Sequence, residues 1–134
     1  MHLLKTHLFL IPAAVMILSE FTKVGVDWWK TGHIRLFRSG GMPSSHSAFV
    51  TSLAIMVGRR LGLDSPEFAI SFVLASIVCY DSMSSRKAIG QQAKVLNKLQ
   101  DLEHLKEQLG HSGLEVFTGI LFGVVVTMVG VWLM

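Results

Sequence analysis

Four long apolar stretches divide the chain, and each has the length and character of a membrane-crossing helix. They cover residues 8–29, 47–63, 66–82 and 114–134. A run of about 20 predominantly apolar residues spans the hydrocarbon core of a bilayer as an α-helix. The fourth stretch is the clearest, because it carries no charged side chain after Glu115. The pattern therefore predicts an all-α fold, an integral membrane four-helix bundle.

The polar stretch between the third and fourth apolar stretches, residues 84–109, follows a different pattern. Its apolar residues recur mostly at intervals of three and four, which is typical of a helix with one apolar face. Such an amphipathic helix lies at the membrane interface or packs over the end of a bundle. No repeat and no low-complexity linker divides the chain, so we expect residues 1–134 to form a single domain.

The composition agrees with a membrane protein. Hydrophobic residues make up 51% of the 134 residues and charged residues 16%, against about 25% charged in soluble domains. The single cysteine, Cys79, excludes an internal disulfide and a cysteine-based zinc site. The net charge is +3, but the basic residues form no stripe with interleaved aromatics, so we expect no nucleic-acid partner.

The distribution of basic residues predicts the orientation of a four-pass protein in the membrane. The first and third connections between the stretches share one side, whereas the termini and the second connection share the other. Nine basic residues on the first side against three on the second predict that the first side faces the cytoplasm. The nine are Lys23, Lys30, Arg35, Arg38, Arg86, Lys87, Lys94, Lys98 and Lys106, and the three are Lys5, Arg59 and Arg60.

The first connection ends in a segment with candidate chemistry, GGMPSSHS, in which Ser44 and Ser45 precede His46. The serines are candidate N-caps of the second helix. Backbone N–H groups at a helix start bind anions, and a histidine can donate a proton near neutral pH. The alternative interpretation is a capped helix with a histidine at the membrane interface.

A second candidate pair, His111 and Glu115, stands four residues apart at the start of the fourth stretch. On a helix this spacing places both side chains on one face, within hydrogen-bonding reach. A carboxylate on one imidazole nitrogen fixes the tautomer and makes the other nitrogen a better nucleophile or ligand. The alternative interpretation is a capped helix with a local ion pair.

Both histidines fall on the membrane side that carries Lys23, Lys30 and Arg86. This set suits phosphoryl chemistry: cations hold the phosphate oxygens, one histidine attacks phosphorus, and the other protonates the leaving oxygen. The alternative for Lys23 is mutual neutralisation with Glu20 and Asp27, which stand near it at helical spacing.

Three segments, GGMPSSHSA, YDSMSSRKAIGQQAKVLN and LGHSGLEVFTG, occur in this order along the chain. In them the sequence resembles the divergent branch of the type 2 phosphatidic acid phosphatase superfamily, which is related to vanadium-dependent haloperoxidases. The resemblance covers nearly the whole chain. It implies a phosphatase that uses neither metal nor cofactor, acts on a polyprenyl or glycerolipid phosphate, and forms a phosphohistidine intermediate.

The resemblance also implies roles for individual residues. His111 matches the nucleophilic histidine, Glu115 stands in for the aspartate beside it, and His46 matches the histidine that protonates the leaving alcohol. The residues that match or replace phosphate-binding positions are Lys23, Lys30, Ser44, Ser45 and Arg86.

The sequence departs from the superfamily pattern in all three motifs. Lys30 occupies the arginine position of the first motif without the proline that normally follows, and Ser45 replaces the glycine of the second motif. Leu105 stands where the third motif has its arginine, so Arg86 is the expected replacement, with Lys87 second.

Two other functions stay open on the sequence alone. One is a membrane protein that binds lipid phosphates without turnover. The other is a metal-binding membrane protein that uses His46, His111 and Glu115, a set of ligands that zinc accepts. The expected partners are the lipid phosphate and membrane lipids. Gly119 and Gly123 form a small-xxx-small pair, which predicts close helix packing within the bundle or in a homo-oligomer.

Overall fold

The computed structural model describes residues 8–32, 41–99, 104–107 and 109–133, apart from the side chain of Lys30. These residues form five α-helices and no strand. The helices are α1 (Leu10–Thr31), α2 (Ser45–Leu61), α3 (Pro66–Met83), α4 (Ser85–Leu99) and α5 (Gly113–Trp132). Four bundle helices with an additional helix between the third and the last confirm the predicted fold class.

Serine side chains begin three of the five helices. Ser44 accepts a hydrogen bond from the backbone N–H of Ser47 at the start of α2. Ser65 accepts one from Phe68 at the start of α3, and Ser112 caps α5 in the same manner. Each cap satisfies a backbone donor that has no partner within its own helix, so the helix starts are fixed by local sequence.

The central helix of the bundle is α2, which packs against α1, α3 and α5. A Cβ placed on Gly119 of α5 would lie 2.5 Å from the carbonyl oxygen of Ser44, and one on Gly123 would lie 2.6 Å from that of Ala48. The two glycines therefore let α5 approach the backbone of α2 within this chain. An oligomer built on the same two glycines would require α2 to move away.

The relative directions of the helices determine which helix ends lie together. Ile11, near the beginning of α1, packs against Gly130, near the end of α5, whereas Lys23 in the second half of α1 packs against Gly41, just before α2. Thus α1 runs antiparallel to α2 and α5, and the short connection after α2 makes α3 antiparallel to it as well. One end of the bundle holds the starts of α2 and α5 and the ends of α1 and α3.

The interior of the bundle is rich in polar side chains, and its outer surface is apolar. Between α2 and α5, the buried hydroxyl of Thr127 donates to that of Ser52 at 2.7 Å. Large apolar side chains of α3 and α5 point outward along most of both helices. The buried apolar cluster comprises Ile11, Val15, Ala48 and Met56. This distribution is the reverse of that in a soluble domain and is characteristic of a helical membrane bundle.

Two stretches of the structure are long and apolar enough to cross a membrane, judged by length and composition. They are Pro66–Leu99, which joins α3 to α4, and Gly113–Trp132, which is α5. Neither of the other long helices meets this measure, because α1 carries Glu20, Lys23 and Asp27 and α2 has 17 residues. Membrane crossing by α1 and α2 stays a prediction.

The amphipathic helix is shorter than the apolar spacing in residues 84–109 indicates. It ends at Leu99, and residues 104–107 are not helical. The side-chain amide of Asn97 accepts from the backbone N–H of Leu105 at 2.9 Å and donates to its carbonyl oxygen at 2.8 Å. These bonds hold the chain after the helix against α4. The apolar residues at intervals of three and four therefore extend past the end of the helix.

Candidate functional site

The centre of the candidate active site is the pair His111 and Glu115 at the start of α5. Nδ1 of His111 lies 3.0 Å from Oε2 of Glu115, and the histidine side chain is only 9% exposed. A capping box fixes the pair, since Ser112 accepts from the N–H of Glu115 at 3.2 Å and donates its own N–H to Oε2 at 3.0 Å. The carboxylate assigns the ring proton to Nδ1, which leaves Nε2 of the neutral ring unprotonated.

Glu115 also ties α5 to the loop before α2. Its second carboxylate oxygen, Oε1, accepts from the backbone N–H of Gly41 at 3.2 Å, and its carbonyl oxygen accepts from the N–H of Ser44 at 3.1 Å. Gly41 has a φ of 104°, a conformation that favours glycine. The N–H of His111 donates to the carbonyl oxygen of Ser82 at the end of α3, at 2.8 Å. Three segments are thereby fixed around the histidine.

Lys23 of α1 reaches the same end of the bundle as a buried cation. It is 6% exposed, and its methylenes pack against Gly41. Its ammonium nitrogen lies 3.1 Å from Oε1 of Glu20, and the same oxygen accepts from the hydroxyl of Ser45 at 2.6 Å. This ion pair is the neutralisation of Lys23 by Glu20 that the helical spacing predicts as an alternative. The hydrogen bond from Ser45 links the pair in α1 to α2.

The two predicted phosphate-binding serines differ in their surroundings, although both are almost fully buried. The hydroxyl of Ser44 caps α2 and lies 3.0 Å from the hydroxyl of Ser47. The hydroxyl of Ser45 shares a carboxylate oxygen with Lys23 instead. Ser44 therefore has a structural task at the helix start, whereas Ser45 stands directly beside the buried cation.

His46 follows these serines and is exposed at the mouth of the bundle, ahead of the second predicted crossing. Partial burial lowers the pKa of His46 from its ordinary value. The positive charge of Arg86, the neighbouring imidazole of His111 and the positive charge of Lys23 lower this pKa further. The carboxylate of Glu20 acts in the opposite direction. These side chains influence His46 because the fold brings Glu20, Lys23, Arg86 and His111 to the same end of the bundle.

Arg86 lies at the rim of this cluster, near the start of α4. Its Nε lies 3.3 Å from Oδ2 of Asp81, and the two side chains are 55% and 44% exposed. Lys87, the other candidate replacement for the third-motif arginine, is exposed. The side chain of Lys30 falls outside the described residues, so its place in the site stays a prediction.

Five residues outside the predicted set take part in the geometry of the site: Glu20, Gly41, Asp81, Ser82 and Ser112. The bond between Ser112 and Glu115 follows a capping-box spacing that is readable from the sequence. The contacts of Glu20 with Ser45 and of Gly41 with Glu115 join segments that are distant in sequence. No local spacing reveals them.

The described residues contain no group of three or more His, Cys, Asp or Glu side chains that could hold a metal ion. Nδ1 of His111 is engaged by Glu115, so these two residues form a donor–acceptor pair. The cations Lys23 and Arg86, whose charges act on the neighbouring His46, make this end of the bundle attractive to an anion.

Comparisons with known proteins identify the family of the chain. A profile of the divergent PAP2 family matches residues 4–126, a range that includes every site residue described above. The chain is also similar to the uncharacterized membrane protein YuiD of Bacillus subtilis (strain 168), with 36% identity over 152 residues, covering 96% of each chain. No solved structure matches the sequence. The chain therefore belongs to the divergent PAP2 family.

Proposed function

We propose that this chain is a membrane-embedded phosphatase that hydrolyses a lipid phosphate monoester through a phosphohistidine on His111. The observation that carries the proposal is the 3.0 Å contact between Nδ1 of His111 and Glu115. It stands at an end of the bundle that also gathers Lys23, His46 and Arg86. Membership of the divergent PAP2 family supports a phosphatase-related function.

In the first step, Nε2 of His111 attacks phosphorus, and a nitrogen–phosphorus bond forms as the bond from phosphorus to the alcohol oxygen breaks. Glu115 accepts the hydrogen bond from Nδ1 and stabilises the positive charge that develops on the ring. Lys23 and Arg86 hold the phosphate oxygens, with the backbone N–H of Ser45 beside them. Protonated His46 gives its proton to the leaving oxygen.

In the second step, water hydrolyses the phosphohistidine. His46, now neutral, accepts a proton from the water as its oxygen attacks phosphorus. The nitrogen–phosphorus bond breaks, and its electron pair returns to Nε2 of His111. The products are a lipid alcohol and inorganic phosphate, and both histidines regain their starting protonation states.

The substrate class and the orientation follow from where the site lies. The outer surface of the bundle is apolar, so a polyprenyl or glycerolipid phosphate can keep its tail in the bilayer while its phosphate reaches the end of the bundle. We propose four crossings with this end at the cytoplasmic face, because most of the basic residues fall there. Labelling of single cysteines at Ser112 and Leu63 by a membrane-impermeant reagent, in a Cys79→Ala background, tests this orientation.

The test of the function is phosphate release by the purified protein in detergent across a panel of lipid phosphates. We expect release from at least one lipid and acid-labile phosphate labelling of the protein, both lost in His111→Ala. His104→Ala is the matched control, since His104 is exposed and stands outside the site. Labelling that persists in His111→Ala, or a panel without any release, would contradict the proposed mechanism.

A pH dependence follows from the lowered pKa of His46. The acid must be protonated, and its protonated fraction in the free protein falls as the pH rises through a pKa below the ordinary 6.5. We therefore expect kcat/KM for a lipid phosphate to fall on the alkaline side with an apparent pKa below 6.5. Initial rates from about pH 4 to 8 measure this profile.

The control for the pH profile is His46→Ala. This variant should have a low kcat/KM on lipid phosphates but a kcat/KM close to wild type on p-nitrophenyl phosphate, whose leaving group needs no proton in the step that forms the phosphohistidine. With p-nitrophenyl phosphate, the pH profile of His46→Ala should fall on the alkaline side only as the substrate itself titrates, and this fall is the same for the variant and the wild type. An alkaline limb on lipid phosphates that is identical in His46→Ala would remove His46 from the role of acid.

A second candidate function, lipid phosphate binding without turnover, is favoured by one observation. Leu105 stands at the position of the third-motif arginine, and its expected replacement, Arg86, is paired with Asp81 at the rim of the site. Saturable binding of a lipid phosphate to the wild-type protein, with no phosphate release across the panel, would favour this function over hydrolysis.

A further inference from the structure

A groove between α2, α3 and α5 lies outside the candidate active site. Its volume is about 760 Å³, within the range of about 300–1,000 Å³ that small-molecule sites occupy. Thr51 and Ile55 of α2 line it together with Phe68 and Phe72 of α3. None of the active-site residues named above contributes to its lining.

The groove and the candidate active site lie on different sides of the packed pair α2 and α5. Ile120 and Val124 line the groove. They follow Glu115 by five and nine residues, which places them about 140° and 180° around the helix from it. The described part of α1, which supplies Glu20 and Lys23 to the site, contributes nothing to the lining.

The position of the groove suits a hydrocarbon chain. α3 and α5 each pack closely on α2 but make few contacts with each other, so the groove opens between them. Both helices belong to the two stretches that are long and apolar enough to cross a membrane. Except for Arg59, its lining side chains are uncharged, and most of them are apolar. An acyl chain that enters from the bilayer would meet an apolar surface along its length.

The one charged lining residue, Arg59, stands at the end of the groove that is remote from the active site. It follows His46 by 13 residues along α2, which corresponds to about 20 Å at the rise of an α-helix. Its side chain is exposed, and no ion pair joins it to another residue that the structure describes. Arg60 is exposed as well but does not line the groove. A cation at the end of an apolar groove is complementary to an anionic headgroup with a hydrocarbon tail.

We propose that this groove binds one acyl chain of an anionic membrane phospholipid, whose headgroup phosphate pairs with Arg59 at the end of the bundle opposite the candidate active site. Because its phosphate lies about 20 Å from His46 along α2, this lipid is a bound partner and not a substrate. The site therefore does not depend on the proposed phosphatase.

Native mass spectrometry of the whole chain in a neutral detergent tests the proposal, with dioleoyl phosphatidylglycerol and dioleoyl phosphatidylcholine as probes. We expect phosphatidylglycerol to bind about fivefold more tightly, the effect of one cation at a lipid headgroup. Arg59→Gln should remove this preference, and Arg60→Gln, the matched control, should keep it. Ala75→Phe fills the groove and should weaken both lipids, whereas Ile77→Phe, on the outward face, should not.

Several outcomes would overturn the proposal. Equal losses in Arg59→Gln and Arg60→Gln would indicate a general attraction to the basic surface. Unchanged lipid binding in Ala75→Phe would place the acyl chain elsewhere, and Ser76→Phe, at an exposed lining position, repeats that test if Ala75→Phe unfolds. A dimer that Ala75→Phe abolishes would assign the groove to a second copy. If Ala75→Phe loses phosphate release but still binds phosphatidylglycerol, the groove holds the tail of the substrate instead.

Discussion

Glu115→Gln is expected to lower the turnover of a lipid phosphate by about 10³–10⁴-fold, as amide replacement of the carboxylate beside a catalytic histidine does elsewhere. In the wild-type protein Oε2 accepts from Nδ1 of His111 and from the N–H of Ser112, while Oε1 accepts from Gly41. An amide has only one acceptor oxygen. If its NH₂ group faces Nδ1, the ring proton moves to Nε2, the atom that in the proposed mechanism attacks phosphorus. If the NH₂ group faces Gly41, it opposes the backbone N–H of Gly41, another donor, and the negative charge beside His111 is lost.

Initial rates of phosphate release, analysed for kcat and KM separately, measure the effect of Glu115→Gln. The matched control is Glu67→Gln, because Glu67 also lies in the first turn of a helix but begins α3 at the other end of the bundle. The control should retain its activity, and a cooperative unfolding transition in both variants shows that each of them is folded. Near wild-type turnover in Glu115→Gln would show that His111 and Glu115 are not the nucleophile and its orienting base.

Gly119→Ala is expected to destabilise the bundle by about 1–3 kcal/mol, the usual effect of an extra methyl group in a closely packed interface. The new Cβ would lie 2.5 Å from the carbonyl oxygen of Ser44. Because this oxygen belongs to the backbone and cannot rotate away, α5 or the loop before α2 must shift. That loop leads directly to His46, so phosphate release should fall along with stability.

Thermal or denaturant unfolding in one detergent measures the effect of Gly119→Ala. Gly25→Ala is the matched control, because no heavy atom lies within 4 Å of the position its Cβ would take. Alanine is favoured over glycine in a helix by about 1 kcal/mol, so this variant should be at least as stable as the wild type. Wild-type stability in Gly119→Ala would mean that α5 approaches α2 less closely than the structure shows.

The parts of the fold that the sequence predicts well are those fixed by local physical chemistry. The sequence predicts the third apolar stretch over residues 66–82, and this stretch forms the helix Pro66–Met83, because Ser65 caps the helix and proline suits its first turn. The end of α4 was not predictable in the same way. It coincides with hydrogen bonds between Asn97 and Leu105, eight residues apart, which compete with continued helix.

The same division applies to the candidate site. The contact of His111 with Glu115 follows from a spacing of four on one helix face, and the ion pair of Lys23 with Glu20 from a spacing of three. The bond from Ser45 to Glu20 spans 25 residues. Such a contact arises only when α1 and α2 pack, so sequence spacing carries no sign of it.

The double attachment of Glu115 to the loop before α2 determines which boundary of the site opens more readily. Parting the two histidines would break the bonds that Gly41 and Ser44 donate to Glu115 and would separate α5 from α2. At the rim near the start of α4 stands the ion pair of Arg86 with Asp81, which at such exposure contributes about 0–1 kcal/mol. The rim at α4 is therefore the boundary that opens at the lower cost in free energy, and an anion would enter past the side chain of Arg86 while His111 and Glu115 keep their positions.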